Sequence, residues 1–88
     1  MAIKLKSGFQ LSRFSDMNFD KMTIEIMFRK EEVAQINMEK GIDNLEIEFF
    51  TQFVDNKFKP KFYLSDLIEI FEQSKLLLSE YVPESERD

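Results

Sequence analysis

The sequence predicts an α+β fold, an antiparallel β-meander of three to five strands packed against one C-terminal amphipathic helix. Three observations predict it. Apolar and polar residues alternate through much of residues 21–51, and helical spacing takes over across 66–81. The chain is also short, with 88 residues, 43% of them hydrophobic, which suits two packed layers around one core. The expected domain is residues 1–82, followed by a polar, disordered tail at 83–88.

Residues 1–19 read as an N-terminal arm or two short strands, because Ile3, Leu5, Phe9, Leu11 and Phe14 flank the turn signal Ser7-Gly8. Next, Met22, Ile24, Ile26 and Phe28 alternate with Lys21, Thr23, Glu25, Met27 and Arg29, the pattern of a half-buried strand. Lys30-Glu31-Glu32 makes a polar turn. Beyond it Ala34, Ile36 and Met38 oppose Gln35 and Asn37, which completes a hairpin. Gly41 and Asp43-Asn44 supply the following break. A third strand then turns Leu45, Ile47 and Phe49 inward and Glu46 and Glu48 outward.

Residues 52–62 form a loop around Asp55-Asn56 and Pro60, since a proline cannot donate to a central ladder. Ser65 reads as a helix N-cap, with Asp66 complementing the dipole in the first turn. Leu67, Ile70, Phe71, Ser74, Leu77, Leu78 and Tyr81 follow at helical spacing until Pro83 stops the helix. One helix covers one face of a sheet. The other face must meet water, the N-terminal arm or a second molecule.

Composition then narrows the function. With no His and no Cys, the chain lacks disulfides, thiol nucleophiles, imidazole or thiolate metal ligands and every His-dependent triad. Gly8 and Gly41 stand alone, so no phosphate-cradling glycine loop exists. Asp43-Asn44 and Asp55-Asn56 are too short for a calcium loop. The sequence therefore reads as a non-enzyme with no cofactor and no metal. Its first residues are too mixed for a secretory signal and no apolar run approaches a membrane span, so the expected location is cytoplasmic, with no membrane partner.

Charge is uneven along the chain. Residues 1–30 carry +3, residues 31–56 carry −6, Lys57, Lys59 and Lys61 return +3, and residues 62–88 carry −5, for a net charge of −5. Such a chain suits a basic partner better than a nucleic acid. Lys57, Lys59 and Lys61 beside Phe58 could still track a single strand by charge and stacking. The plainer reading is an edge segment whose rings pack inward and whose lysines deter strand pairing.

Ten phenylalanines are many for so small a core. Phe49 and Phe50 are adjacent, so a strand sends them to opposite faces. Met27 and Phe50 would then share a face with Glu25, Glu46, Glu48 and Gln35, an apolar centre with an acidic rim, which is how an interface is composed. Alternatively, residues 9–19 fold over Met27 and Phe50 within the chain. The candidate partner-binding residues are Glu25, Met27, Glu46, Glu48 and Phe50.

The run of Met22–Ile26, Val33–Asn37, Glu39–Phe49 and Leu64–Leu78 resembles small bacterial immunity proteins of polymorphic toxin systems, in which a G-x-x-x-L-E-I-E segment precedes a Leu- and Asp-rich helix. That resemblance implies a non-enzymatic inhibitor whose acidic face binds a basic toxin domain and occludes its active surface. A structural or regulatory homodimer, with the uncovered face pairing on itself, is the alternative.

Overall fold

Ser7-Gly8 decides how the chain begins. Gly8 has φ +103°, a conformation that side chains with a Cβ rarely adopt. Its amide donates to the Leu5 carbonyl at 3.1 Å, while the Leu5 amide donates to the Phe9 carbonyl at 2.8 Å. The chain turns back on itself, and the two expected short strands form: β1 (Ala2–Lys4) and β2 (Phe9–Phe14) pair antiparallel with Ile3 opposite Leu11. In this computed structural model, residues 2–15 and 17–80 are described. Tyr81, Pro83 and the expected tail at 83–88 lie outside the described residues.

The alternating runs give β3 (Thr23–Phe28), β4 (Glu31–Asn37) and β5 (Glu46–Phe49), with a 3-10 turn at Ile42–Asn44 between the last two. The sheet is a sequential antiparallel meander, β1-β2-β3-β4-β5. The helix α1 (Leu64–Ser79) packs on one face, mainly against β2, β3 and the 3-10 turn. The architecture is the expected α+β sheet and helix. Residues 9–14 belong to the sheet, so they do not fold over Met27 and Phe50.

Register explains the core. Leu11, Ile26 and Ala34 stand in one row across β2, β3 and β4, and Ile24 with Ile36 in another. All are buried, and Ile70 and Leu78 of α1 close over them. Pairing shifts between Ile26 and Met27, where β4 carries one extra residue. This bulge lets Val33 and Ala34, neighbours in sequence, both be buried.

Three local expectations are corrected. The polar turn is Arg29-Lys30, not residues 30–32, with Arg29 at φ +57°. Glu31 instead opens β4 and is buried, because its two carboxylate oxygens accept the amides of Val54 (2.7 Å) and Asp55 (2.9 Å). The helix starts at Leu64, so Ser65 lies inside the first turn. Tyr63 is the N-cap, and its carbonyl accepts the Asp66 and Leu67 amides.

The surplus of phenylalanine has an internal use. Phe53 meets Phe58 (ring centroids 4.8 Å), Phe58 meets Phe28 (6.3 Å), and Phe62 meets both Phe28 (5.0 Å) and Phe9 (4.8 Å). These edge-on and tilted contacts hold the 50–63 return segment against the core end of β2 and β3.

Gly8 tests the turn. A Cβ there would sit 2.9 Å from the Phe28 ring, whereas one at Gly41 (φ +99°) would meet nothing within 4 Å. Both Gly→Ala substitutions carry a backbone penalty of about 1–2 kcal/mol. We expect Gly8→Ala to cost measurably more than Gly41→Ala in urea denaturation, because only the first adds a clash with an aromatic anchor. Equal costs would mean that the Gly8–Phe28 contact does not constrain the turn.

Candidate partner-binding surface

Alternation along paired strands sorts the candidate residues. Ser12, Glu25, Gln35 and Glu48 form one row across β2 to β5, on the face opposite the helix. Glu46 lies opposite Asn37 on that face, and Met27 lies opposite Glu32. With strands spaced about 4.8 Å apart, Glu25 and Glu48 stand roughly 10 Å from each other, with Gln35 between them. The structure therefore gathers Glu25, Met27, Glu46 and Glu48 on one face and adds Glu32, which the sequence reading had placed in a turn.

Among the described residues, no helix packs on this face. Glu32, Glu46 and Glu48 are exposed, and Glu25 and Met27 are half-buried. One base reaches in from the side: the Lys40 ammonium lies 3.1 Å from a Glu46 oxygen, with both side chains exposed. Such a pair contributes little to stability. Phe50 lies just past β5, half-buried, and its amide donates to the Val33 carbonyl at 2.9 Å.

Crowding of carboxylates leaves a mark on Glu25. Partial burial pushes its pKa up from the ordinary glutamate value, and the nearby Glu32 raises it further by repulsion and a hydrogen bond to the protonated form.

The helix side holds what the sequence reading missed. Ile47 and Phe49 do point to that side, opposite Ile36 and Ala34, but are 38% and 57% exposed. Phe71, expected in the buried stripe, is 39% exposed. The cause is position, because α1 packs mainly over β2 and β3. A groove of about 260 Å³ remains between α1 and β5, lined by Ile36, Leu45, Glu46, Ile47, Phe71 and Lys75. One signal in the sequence marks it. Leu64, Ile68 and Phe71 form a second apolar stripe beside Leu67, Ile70, Ser74 and Leu78, wider than one buried face needs.

The lysine segment has the geometry of the plainer reading. Lys57, Lys59 and Lys61 are exposed, while Phe58 and Phe62 pack inward. Lys61 shares a wide cleft of about 710 Å³ with Arg29, Ser7, Tyr63 and Asp66, floored by Phe9, Phe28 and Phe62. No helix among the described residues is long and apolar enough to cross a membrane.

The raised Glu25 pKa gives a signed expectation. The folded chain holds this proton more tightly than the unfolded chain, so this group makes stability fall as pH rises from the ordinary glutamate pKa through the raised one. Glu25→Gln should therefore stabilise the fold at neutral pH and lose that advantage under acid conditions. Glu32→Gln should move the Glu25 titration midpoint downward in a carboxyl NMR titration. An unmoved midpoint would mean that Glu32 does not act on Glu25.

No family model matches the chain, and neither the curated proteins nor the solved structures contain a significant match to it.

Proposed function

We propose that the chain is a small acidic, non-enzymatic binding protein that neutralises a cognate toxin in the cytoplasm by covering its basic active surface, as an immunity protein does. One observation carries this reading. Glu25, Glu32, Glu46 and Glu48 share a sheet face over which no described helix packs, with half-buried Met27 among them. Such a face offers long-range attraction to a cationic surface and a small apolar centre to hold it at contact.

A structural or regulatory homodimer is the second reading, and the exposed Ile47, Phe49 and Phe71 favour it. Single-stranded nucleic acid ranks third, because the Phe58 ring that would stack on bases already packs against Phe53 and Phe28.

Charge reversal tests the first reading. Glu46→Lys combined with Glu48→Lys should leave the circular dichroism spectrum and thermal midpoint nearly unchanged, since both side chains are exposed. Association with a basic partner, captured in equal amount at low salt, should slow by about tenfold or more at low ionic strength. That difference should shrink as salt is added. Equal association rates for the two chains would place the interface elsewhere.

A further inference from the structure

We propose that the partner is held by strand addition: an extended segment with alternating basic and apolar residues docks antiparallel onto the free edge of β5. This rests on reading the chain as a binder of a basic protein. The geometry starts from the ladder. The Phe50 amide donates to the Val33 carbonyl at 2.9 Å, and Val33 and Phe50 continue the β4–β5 register. Bonds alternate along an antiparallel ladder, so Glu46, Glu48 and Phe50 aim their backbone groups at β4, while Ile47 and Phe49 aim theirs outward. The sheet order ends at β5, so these outward N–H and C=O groups meet no other strand among the described residues. An added strand would find two donors and two acceptors there.

Side chains around that edge select the occupant. On one face Glu46 and Glu48 flank the edge, and on the other Phe49 is exposed and Ile47 opens onto the groove walled by Leu45, Phe71 and Lys75. A docking strand therefore needs Lys or Arg at positions facing the glutamates and apolar residues at the alternate positions. A second copy of this chain fits poorly. Two-fold antiparallel pairing of β5 centred at Glu46, Ile47 or Glu48 sets glutamate directly opposite glutamate, which is unfavourable in a cross-strand pair, and of the β5 centres only Phe49 avoids it, by setting Glu48 opposite Phe50. Most natural edges are guarded by lysine, proline or a covering element. This one carries acids on one side, with Lys40 reaching only Glu46, and exposed apolar residues beside Lys75 on the other, which disfavours the self-paired registers that set glutamate against glutamate and leaves Glu48 open to a basic strand.

The test uses the full 15N-labelled chain and a capped seven-residue peptide of alternating lysine and valine, with a glutamate–valine peptide as control. We expect the lysine peptide to shift the Ile47, Phe49 and Phe71 amides saturably and to slow exchange at the Ile47 and Phe49 amides by about tenfold or more at saturation. The glutamate peptide should do neither. Ile47→Pro removes an outward donor and leaves the bonds to β4 in place, and should weaken peptide binding by about tenfold. Binding that leaves exchange at Ile47 and Phe49 unchanged, or that survives Ile47→Pro in a folded chain, would overturn strand addition. So would no binding at all, or protection of the same amides by self-association of the free chain. The parent reading fails separately. Loss of partner binding on Glu46 and Glu48 reversal but not in Ile47→Pro removes the strand and keeps the acidic face, whereas loss in neither removes both.

Discussion

A single helix is too narrow for this sheet. An α-helix with its side chains is about 10 Å across, and strands lie about 4.8 Å apart, so one helix shelters about two strands. Here it packs mainly on β2 and β3, where Leu11, Ile24 and Ile26 are buried beneath Ile70 and Leu78, with Ala34 and Ile36 of β4 buried at the side of the same core. The rest follows from that mismatch. Among the described residues, one face of the sheet carries no helix, and on the other face β5 lies at the margin of the helix, its inward side chains half-open and its outer backbone edge without a paired strand.

What fixes the helix over β2 and β3, rather than over β5 where the sheet ends, is the return segment. After β5 the chain crosses the β3–β4 hairpin, where the buried Glu31 carboxylate accepts two of its amides. Phe58 and Phe62 then lock onto Phe28 and Phe9 and deliver the start of α1 to the far side of the sheet. At the other end, Arg13 of β2 meets Glu80 just past the helix at 2.8 Å. A buried carboxylate holding two backbone amides is a demanding arrangement, because the carboxylate has left water and depends on those amides to satisfy its oxygens. It fits a chain in which long-range placement depends on a few anchors rather than on a large core.

Much of this was legible in the sequence. Period-two alternation set out β3, β4 and β5 and, with them, the face shared by Glu25, Met27, Glu46 and Glu48. Alternation records which way a side chain points, however, and not what lies opposite. Leu45, Ile47 and Phe49 read as inward and are inward, yet Ile47 and Phe49 stay exposed because coverage depends on where the helix lands. Glu31 and Phe58 were hidden for a related reason. Their partners are 23 to 30 residues away in sequence, and no local pattern announces a carboxylate that will cap a distant loop or a ring that will seat a distant helix. The width of the apolar stripe on α1 did carry a hint, since Leu64, Ile68 and Phe71 exceed what the buried face uses.

Native-state hydrogen exchange on the free chain tests most directly the claim that β5 is an edge left open by a helix placed elsewhere. The account predicts slow exchange at Leu11, Ile24 and Ile26, and an alternating pattern along β5. Amides of Glu48 and Phe50, bonded to β4, should be protected, and those of Ile47 and Phe49 should exchange nearly as fast as an unstructured chain. Uniform protection along β5 in a dilute monomer would contradict it, because some element would then be covering the edge that the account leaves free.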